Sequence, residues 1–370
     1  MNPTDIAWVR GPAGTPGFTW NPVIGCTAVS AGCANCWAAR LASTRLAHLP
    51  EYKGLAKDGK WIDGARFLPD RLFRPLCKRI PAGIFVCDMG DLFHESITNE
   101  QIAAVFGVTV ACPQHRFYFL TKRAKRRREW FEWLDGRAEA CGRLFPDEEM
   151  SWRRVHILRA SALRVGLQMP SYSAMLSTGF PPRNAWQGTS IEDQPTADER
   201  IPDLLQTPAA VRFVSYEPAL GTVDASDYMA DQDAEQDSTP AAIARGEDRG
   251  LDWVIVGGES GPGARRCHVN WIRDIARQCR VAHVECFVKQ LGTNCHARND
   301  ENFTADEGDP AFPKWPDSPD GVAIVDRIEE LPNGGYQGAP VRVHLRDRAG
   351  ADPTEWPEDL RIRQLPEVTR

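Results

Sequence analysis

The stretch GIFVCDMGDLFHESITNEQIAAVF, Gly83 to Phe106, holds a complete strand, loop and helix start. Ile84 to Cys87 is β-branched and aromatic, the loop after it carries Asp88 and Asp91, and Thr98 with Gln101 forms a capping box. Ile102, Val105 and Phe106 then share one helical face. The same order recurs along the chain. RFYFLTKR, from Arg116, leads to a helix containing Trp130, Phe131 and Leu134. AWQGTSIED leads to Thr196 and Glu199, a T-x-x-E box, ahead of Ile201, Leu204 and Leu205. GFTWNPVIG, AVRFVSYEPAL, LDWVIVGGESGPG and HVECFVKQLG supply the other apolar runs. Between the last two, Asn270 is placed to cap a helix with Ile272, Ile275, Ala276 and Cys279 on one stripe.

Apolar strand, polar loop and amphipathic helix in repetition is the pattern of a parallel sheet with helical crossovers. Six or seven such units predict an α/β fold, a parallel (β/α) barrel, partial or complete and TIM-barrel-like. The carboxyl ends of barrel strands aim several side chains at one volume, which is where such folds keep their sites. Here that rim holds Asp88 and Asp91, Lys122, Ser190 and Glu192, Ser215 and Glu217, Glu259 and Ser260, and Lys289 and Gln290. The barrel is expected over residues 1–295, interrupted at about 139–183 by an insertion that reads as a lid or partner surface. A second interruption, about 225–250, is acidic, poor in large apolar residues and expected to be a mobile loop. Residues 296–370 read as an appendage packed on the barrel, with GVAIV and VRVHL as short strands.

The 370 residues, 42% hydrophobic and 25% charged, are enough to bury a large core. No run approaches the length of a membrane span, and MNPTDIAWVRGP lacks the features of a signal peptide, so a soluble cytoplasmic protein is expected. In that reducing setting the 11 cysteines are expected as buried thiols, ligands or reactive groups rather than disulfides. A net charge of -6 argues against wholesale coating of nucleic acid but leaves room for a local basic site.

Three of the cysteines, Cys26, Cys33 and Cys36, fall in WNPVIGCTAVSAGCANCWAARLA with the spacing C-x6-C-x2-C. Gly25 and Gly32 each precede a cysteine, and glycines let a loop curl until several thiolates converge. The close pair Cys33 and Cys36 is a two-ligand clip for zinc or an iron-sulfur cluster. Structural zinc nearly always takes four ligands, and only His48, Cys77 and Cys87 offer a distant fourth. Three thiolates also suit a 4Fe-4S cluster with one iron left open to a small molecule.

Three cysteines after the first strand of a parallel barrel resemble the radical S-adenosylmethionine superfamily. Its common spacing is C-x3-C-x2-C, three residues shorter in the first gap, and its usual aromatic before the last cysteine is here Asn35, with Trp37 after it. The resemblance implies a 4Fe-4S cluster on Cys26, Cys33 and Cys36, bound S-adenosylmethionine and an electron donor. WNPVIGCTAVSAGCANCWAARLA, MGDLFHE, LTKR, SYEPALG and VIVGGESGPGARR…VKQLG together resemble a phage- and prophage-associated three-cysteine family of unassigned function. LTKR is also distantly similar to the Thr-Lys pair of spore-photoproduct-lyase-like repair enzymes.

On these resemblances Trp37, Asp88, Ser190, Glu192, Gly257, Gly258, Glu259 and Ser260 are candidate cofactor contacts, with Glu259 in a strand-end Gly-Gly-Glu run. Cys87, Lys122 and Glu217 are the candidates for catalytic groups. TKRAKRRREW adds a cationic run, Lys122, Arg123, Lys125, Arg126, Arg127 and Arg128, which with Arg265 and Arg266 reads as a phosphate-binding patch. The expected function is therefore radical modification or repair of a nucleic acid or nucleotide. A zinc-stabilised nucleic-acid-binding protein and a cluster-bearing sensor without turnover are the alternatives.

Overall fold

The computed structural model of the chain describes residues 1–177, 179–229, 250–297, 341–343 and 345–366. Most of the expected mobile loop and all of GVAIV lie outside these residues, while VRVHL contributes the short strand Val341–Arg342.

Seven strands run parallel in one sheet: β1 (Gly17–Trp20), β2 (Gly83–Val86), β3 (Arg116–Thr121), β4 (Ala185–Ile191), β5 (Arg212–Tyr216), β6 (Trp253–Gly257) and β7 (Glu285–Gln290). Their spatial order is their chain order, as helical crossovers of one hand require. A two-residue strand, Asn2–Pro3, pairs antiparallel outside β1. No backbone pairing joins that edge to β7 among the described residues, so the expected barrel appears as a mixed α/β sheet with two edges rather than a closed ring.

The sheet is nonetheless strongly curved. The Trp8 ring lies 5.1 Å from Phe85 on β2, 5.5 Å from Tyr118 on β3, 6.1 Å from Phe213 on β5 and 6.0 Å from Trp253 on β6, centroid to centroid. In a flat sheet β2 and β6 would stand about 19 Å apart, four strand spacings. One indole reaches both only because the strands wrap around it. Trp186 on β4 and Phe287 on β7 complete this aromatic layer.

Helices cover the convex face. α1 (Trp37–Ser43) follows the cysteine loop, and α2 (Asn99–Val110), α3 (Ala124–Cys141) and α4 (Met150–Arg164) form one core over the early strands, with the short α5 (Tyr172–Leu176) beside α4. α6 (Gln194–Leu205) and α7 (Val269–Val281) form a second core over the later strands. The Thr98–Gln101 capping box of α2 is present as expected. For α6 the cap is Asp193, which accepts from the Thr196 amide, rather than the expected Thr196–Glu199 box. Asp193 has the extended backbone that an N-cap needs, whereas Thr196 is already helical. α7 begins one residue before Asn270, with His268 at the cap and Val269 adding to the expected buried stripe.

The insertion does not form a lid. α4 packs so closely on α2 that a Cβ at Gly107 would strike the Leu158 carbonyl, and this places the segment on the convex face. The tail residues 356–364 cover the outer edge of β7. Trp356 and Leu360 enter the second core, Val288 N donates to Ile362 O at 2.9 Å, and Gln364 N donates to Cys286 O at 2.9 Å. An edge strand covered in this way cannot pair with another chain. No described helix is long and apolar enough to cross a membrane.

Replacing Trp8 with alanine removes the side chain around which the strands curve. It should cost about 3–5 kcal/mol of unfolding free energy, read from the urea midpoint at unchanged slope.

Candidate active site

The cysteine loop is built from local rules. After β1, Val23–Gly25 pairs antiparallel with Ala65–Phe67, and Gly25 (φ 85°) turns the chain immediately before Cys26. A side chain there would collide with the Gly64 carbonyl, at 2.5 Å. Ala31–Cys33 forms a tight turn with Cys33 N on Ser30 O at 3.0 Å, and Cys36 N reaches Cys33 O at 3.3 Å just before α1 starts. All three thiols are partly buried and line one cavity of about 790 Å³ at the carboxyl ends of the parallel strands.

Three polar clusters tie this loop to the strand ends. In the first, Glu192, wholly buried after β4, pairs with Lys122 after β3 and with Arg200 of α6 at 3.2 Å, and accepts from Ser30 Oγ at 2.8 Å. Gly32 sits against this pair so tightly that a Cβ would fall on the Glu192 carboxylate and the Lys122 ammonium. In the second, Arg123 spends its guanidinium entirely inside. It donates to Asp91 at 3.1 Å, Glu95 at 2.9 Å, Thr27 Oγ1 at 2.7 Å, Thr27 O at 3.2 Å and the Cys26 sulfur at 3.4 Å. Asp91 is itself fixed by Thr121 Oγ1 at 2.8 Å. In the third, Glu259 after β6 accepts from Arg265 at 2.8 Å and from Asn35, between two of the cysteines, at 3.0 Å, while Arg265 also donates to Ala31 O at 2.7 Å.

The remaining cavity groups face inward without touching the loop. Asp88 accepts from Asn21 Nδ2 at 2.6 Å, and burial pushes its carboxyl above the usual range. Glu217 accepts from Ser215 Oγ at 3.1 Å and faces Lys289 Nζ at 2.8 Å as an ion pair, off the hydrogen-bond direction. Cys87 lines the wall in a left-handed conformation (φ 62°), uncommon for a residue other than glycine, and burial holds its thiol protonated. Trp8 and Phe85 lie below as part of the wall, and Trp37 stands beside the cysteines, 54% exposed.

A family model matches residues 4–329, from the segment beneath the cavity to beyond β7. The chain belongs to that family, described as Protein of unknown function (DUF5131). Searches of curated proteins and of solved structures gave no match.

Of the residues singled out in the sequence of this DUF5131 chain, the structure gathers Cys26, Cys33, Cys36, Trp37, Cys87, Asp88, Lys122, Ser190, Glu217, Gly258, Glu259 and Ser260 around the cavity. Several take other roles there than expected. Glu259 is held by Arg265 and Asn35, which keep its carboxyl below the usual range against the effect of burial, so it is a tie rather than an open ligand contact. Glu192 lies beneath the wall as an ion-paired core group, and Gly257 is likewise outside the lining. Gly258 is small because a Cβ would meet the Leu291 carbonyl, a packing demand from the neighbouring strand end.

Most of the cationic run is turned to partners within the protein, while Lys125 stays exposed. Lys122 and Arg123 point into the ties described above. Arg127 is fully buried, donating to Gly188 O at 2.7 Å, with burial drawing its guanidinium down to about 9. Arg126 donates to Asn99 Oδ1 at 2.5 Å, and Arg128 pairs with Asp203 at 2.7 Å and with Glu132. α3 must turn one face to the sheet, and Arg127 lies on that face with Ala124, Trp130, Phe131 and Leu134. Arg265 is spent on Glu259, which leaves Arg266 exposed. Ser30, Thr27 and Arg200 gave no signal in the sequence, and Asn35 stood out only as a departure from an aromatic position, because single polar residues of this kind carry no periodicity.

The donor chemistry suits a soft metal or cluster. For Cys33, burial would raise the thiol, but the Lys122 charge and hydrogen bonds from the Val29 and Ser30 backbone outweigh it and favour the thiolate. Cys26 is pushed up to about 12 by burial and by Asp91, despite Arg123 beside it, so a bound cation would have to supply the charge that ionises it. Among the described residues no group of three or more His, Cys, Asp or Glu side chains stands in metal-holding geometry, so the thiols would have to turn toward one another on loading. His48 is exposed in the turn after α1, Cys77 is exposed, and neither lines the cavity.

Glu192→Gln removes the buried carboxylate charge that faces Arg200 and Lys122 and should cost roughly 3–5 kcal/mol. Alongside the lower unfolding midpoint, Cys26 and Cys33 should be alkylated faster in the folded protein, read by peptide mass spectrometry.

Proposed function

We propose that this chain is a radical S-adenosylmethionine-type enzyme on a partial (β/α) barrel, acting on a nucleic-acid or nucleotide substrate. The observation that carries the reading is the three-thiol loop, tied at three points to strand ends above a large cavity by contacts that involve no metal. A structural zinc site needs no such cavity and takes four closed ligands.

Cys26, Cys33 and Cys36 would hold the 4Fe-4S cluster, which when reduced supplies the electron that cleaves S-adenosylmethionine. The chain's own part is positioning and shielding. The aromatic layer of Trp8 and Phe85 closes the cavity from below, which keeps water from a reactive intermediate. Ser190, Ser215, Asp88 and the Glu217–Lys289 pair are among the polar groups not consumed by the loop ties, and they orient bound molecules. An electron donor is the partner that this chemistry requires, and a reducing cytoplasm agrees with 11 free thiols.

Anaerobic reconstitution with iron and sulfide should give broad absorbance near about 400 nm and about four irons per chain, lost in Cys26→Ala, Cys33→Ala or Cys36→Ala. Reductant and S-adenosylmethionine should then yield 5'-deoxyadenosine. A colourless protein that holds only zinc would overturn the reading, and a bound cluster that forms no 5'-deoxyadenosine would favour a sensor.

A further inference from the structure

A group of free cations lies away from the arginine-rich run, on the small unit formed by α1 and the hairpin that follows it. Residues 37–60 carry five Lys or Arg against two acids, on a chain whose net charge is -6. Glu51 is already paired with Arg71 at 2.6 Å. Arg45, Lys53, Lys57 and Lys60 are all exposed, and none has an ion-pair partner among the described residues. The Arg40 guanidinium donates to a carbonyl of the β6 loop, Pro262 O at 3.4 Å, and has no ion-pair partner among the described residues, and Arg266 is exposed on that same loop.

The unit is rigid enough to present these groups. Ala56–Lys57 pairs with Lys60–Trp61 across a two-residue turn whose Asp58 (φ 50°) and Gly59 (φ 75°) both adopt left-handed backbone, the type I′ pattern of an Asp-Gly hairpin. Gly59 N donates to Ser43 Oγ at 3.0 Å, tying the turn to the end of α1. Ala38, Ala42, Tyr52 and Leu55 fill the space between them.

Beside these cations lies an exposed apolar rim. Trp37 and Val29, 54% and 45% exposed, both line the cavity, as does Trp61, and Ile62 next to it is 59% exposed. Exposed apolar groups gathered at a cavity mouth mark a contact surface. Trp37 and Arg40 are separated by one turn of α1, so a flat apolar face and a guanidinium lie on the same side of the helix. A nucleotide carries both complements in one unit: a base that stacks on indole and a phosphate that pairs with cations. An acidic peptide supplies the anion without the flat face.

We propose that the α1–hairpin unit presents an unpaired nucleic-acid strand to the cavity, with Trp37 as the stacking platform and Arg40, Lys57 and Lys60 as phosphate contacts. This rests on the nucleic-acid reading above and names its docking surface. Binding needs neither cluster nor turnover, so the two can fail separately.

The test is fluorescence anisotropy of the full chain with a labelled single-stranded oligonucleotide, its duplex, and labelled polyglutamate. The single strand should bind tightest, and Trp37→Ala should weaken it about tenfold with the fold retained by circular dichroism. Lys57→Glu with Lys60→Glu should weaken it and lower the salt slope by about 1.4, whereas Lys125→Glu, exposed on α3, should leave both unchanged. The proposal is overturned by equal binding of Trp37→Ala, by polyglutamate binding as tight as the oligonucleotide, by a Lys125→Glu effect matching that of the hairpin pair, or by no oligonucleotide binding at low salt. A chain that binds the strand yet takes up no iron would support this surface and remove the radical reading alone.

Discussion

A carboxylate with no exposed surface must have its charge met from within, and Glu192 meets that demand with three elements at once. Lys122 comes from the end of β3, Arg200 from α6 and Ser30 from the cysteine loop. Removing one partner of a buried ion pair is far costlier than the pair is stabilising, so such a cluster enforces a single arrangement of the elements that share it. Gly32, pressed against the same pair, then fixes where Cys33 can stand. The position of the thiols is thus an electrostatic consequence of the strand ends, with Arg123 and Glu259 repeating the device on either side.

That device depends on curvature, because strand ends converge on one volume only if the sheet wraps. Trp8 supplies the hub, reaching strands that a flat sheet would hold far apart. The same residue lies under the cavity, so the segment that shapes the sheet also closes the chamber. Packing and site are therefore one problem in this fold.

The parallel strands and most of the helices could be read from the sequence, because short apolar, β-branched and aromatic runs in the strands and a period of about 3.6 in the helices are local signals. Rim residues followed from them, since position at a strand end needs only the strand assignment. Partners did not follow. Glu259 and Arg123 were visible as charged residues beside the site, but whether such a group meets a ligand or a neighbour depends on residues up to 224 positions away, as Asn35 and Glu259 are. The arginine run misled for the same reason: composition records charge, and burial of Arg127 against β4 is a tertiary fact. Trp8, in a segment with no periodicity, gave no signal of its role. The Asp58–Gly59 turn did carry a recognisable hairpin signature, and the basic surface beside the cavity lies around it.

If the loop is held by the strand ends rather than by a bound metal, it must be ordered in the metal-free chain. Hydrogen exchange followed by mass spectrometry on rigorously metal-free protein tests this directly across residues 26–36. The amides of Cys33, Ala34 and Cys36, bonded to Ser30, Ala31 and Cys33 carbonyls, should be protected well above random-coil rates, with little further change on loading. Coil-like exchange there until iron or zinc is added would contradict the account, since the metal would then be building the loop.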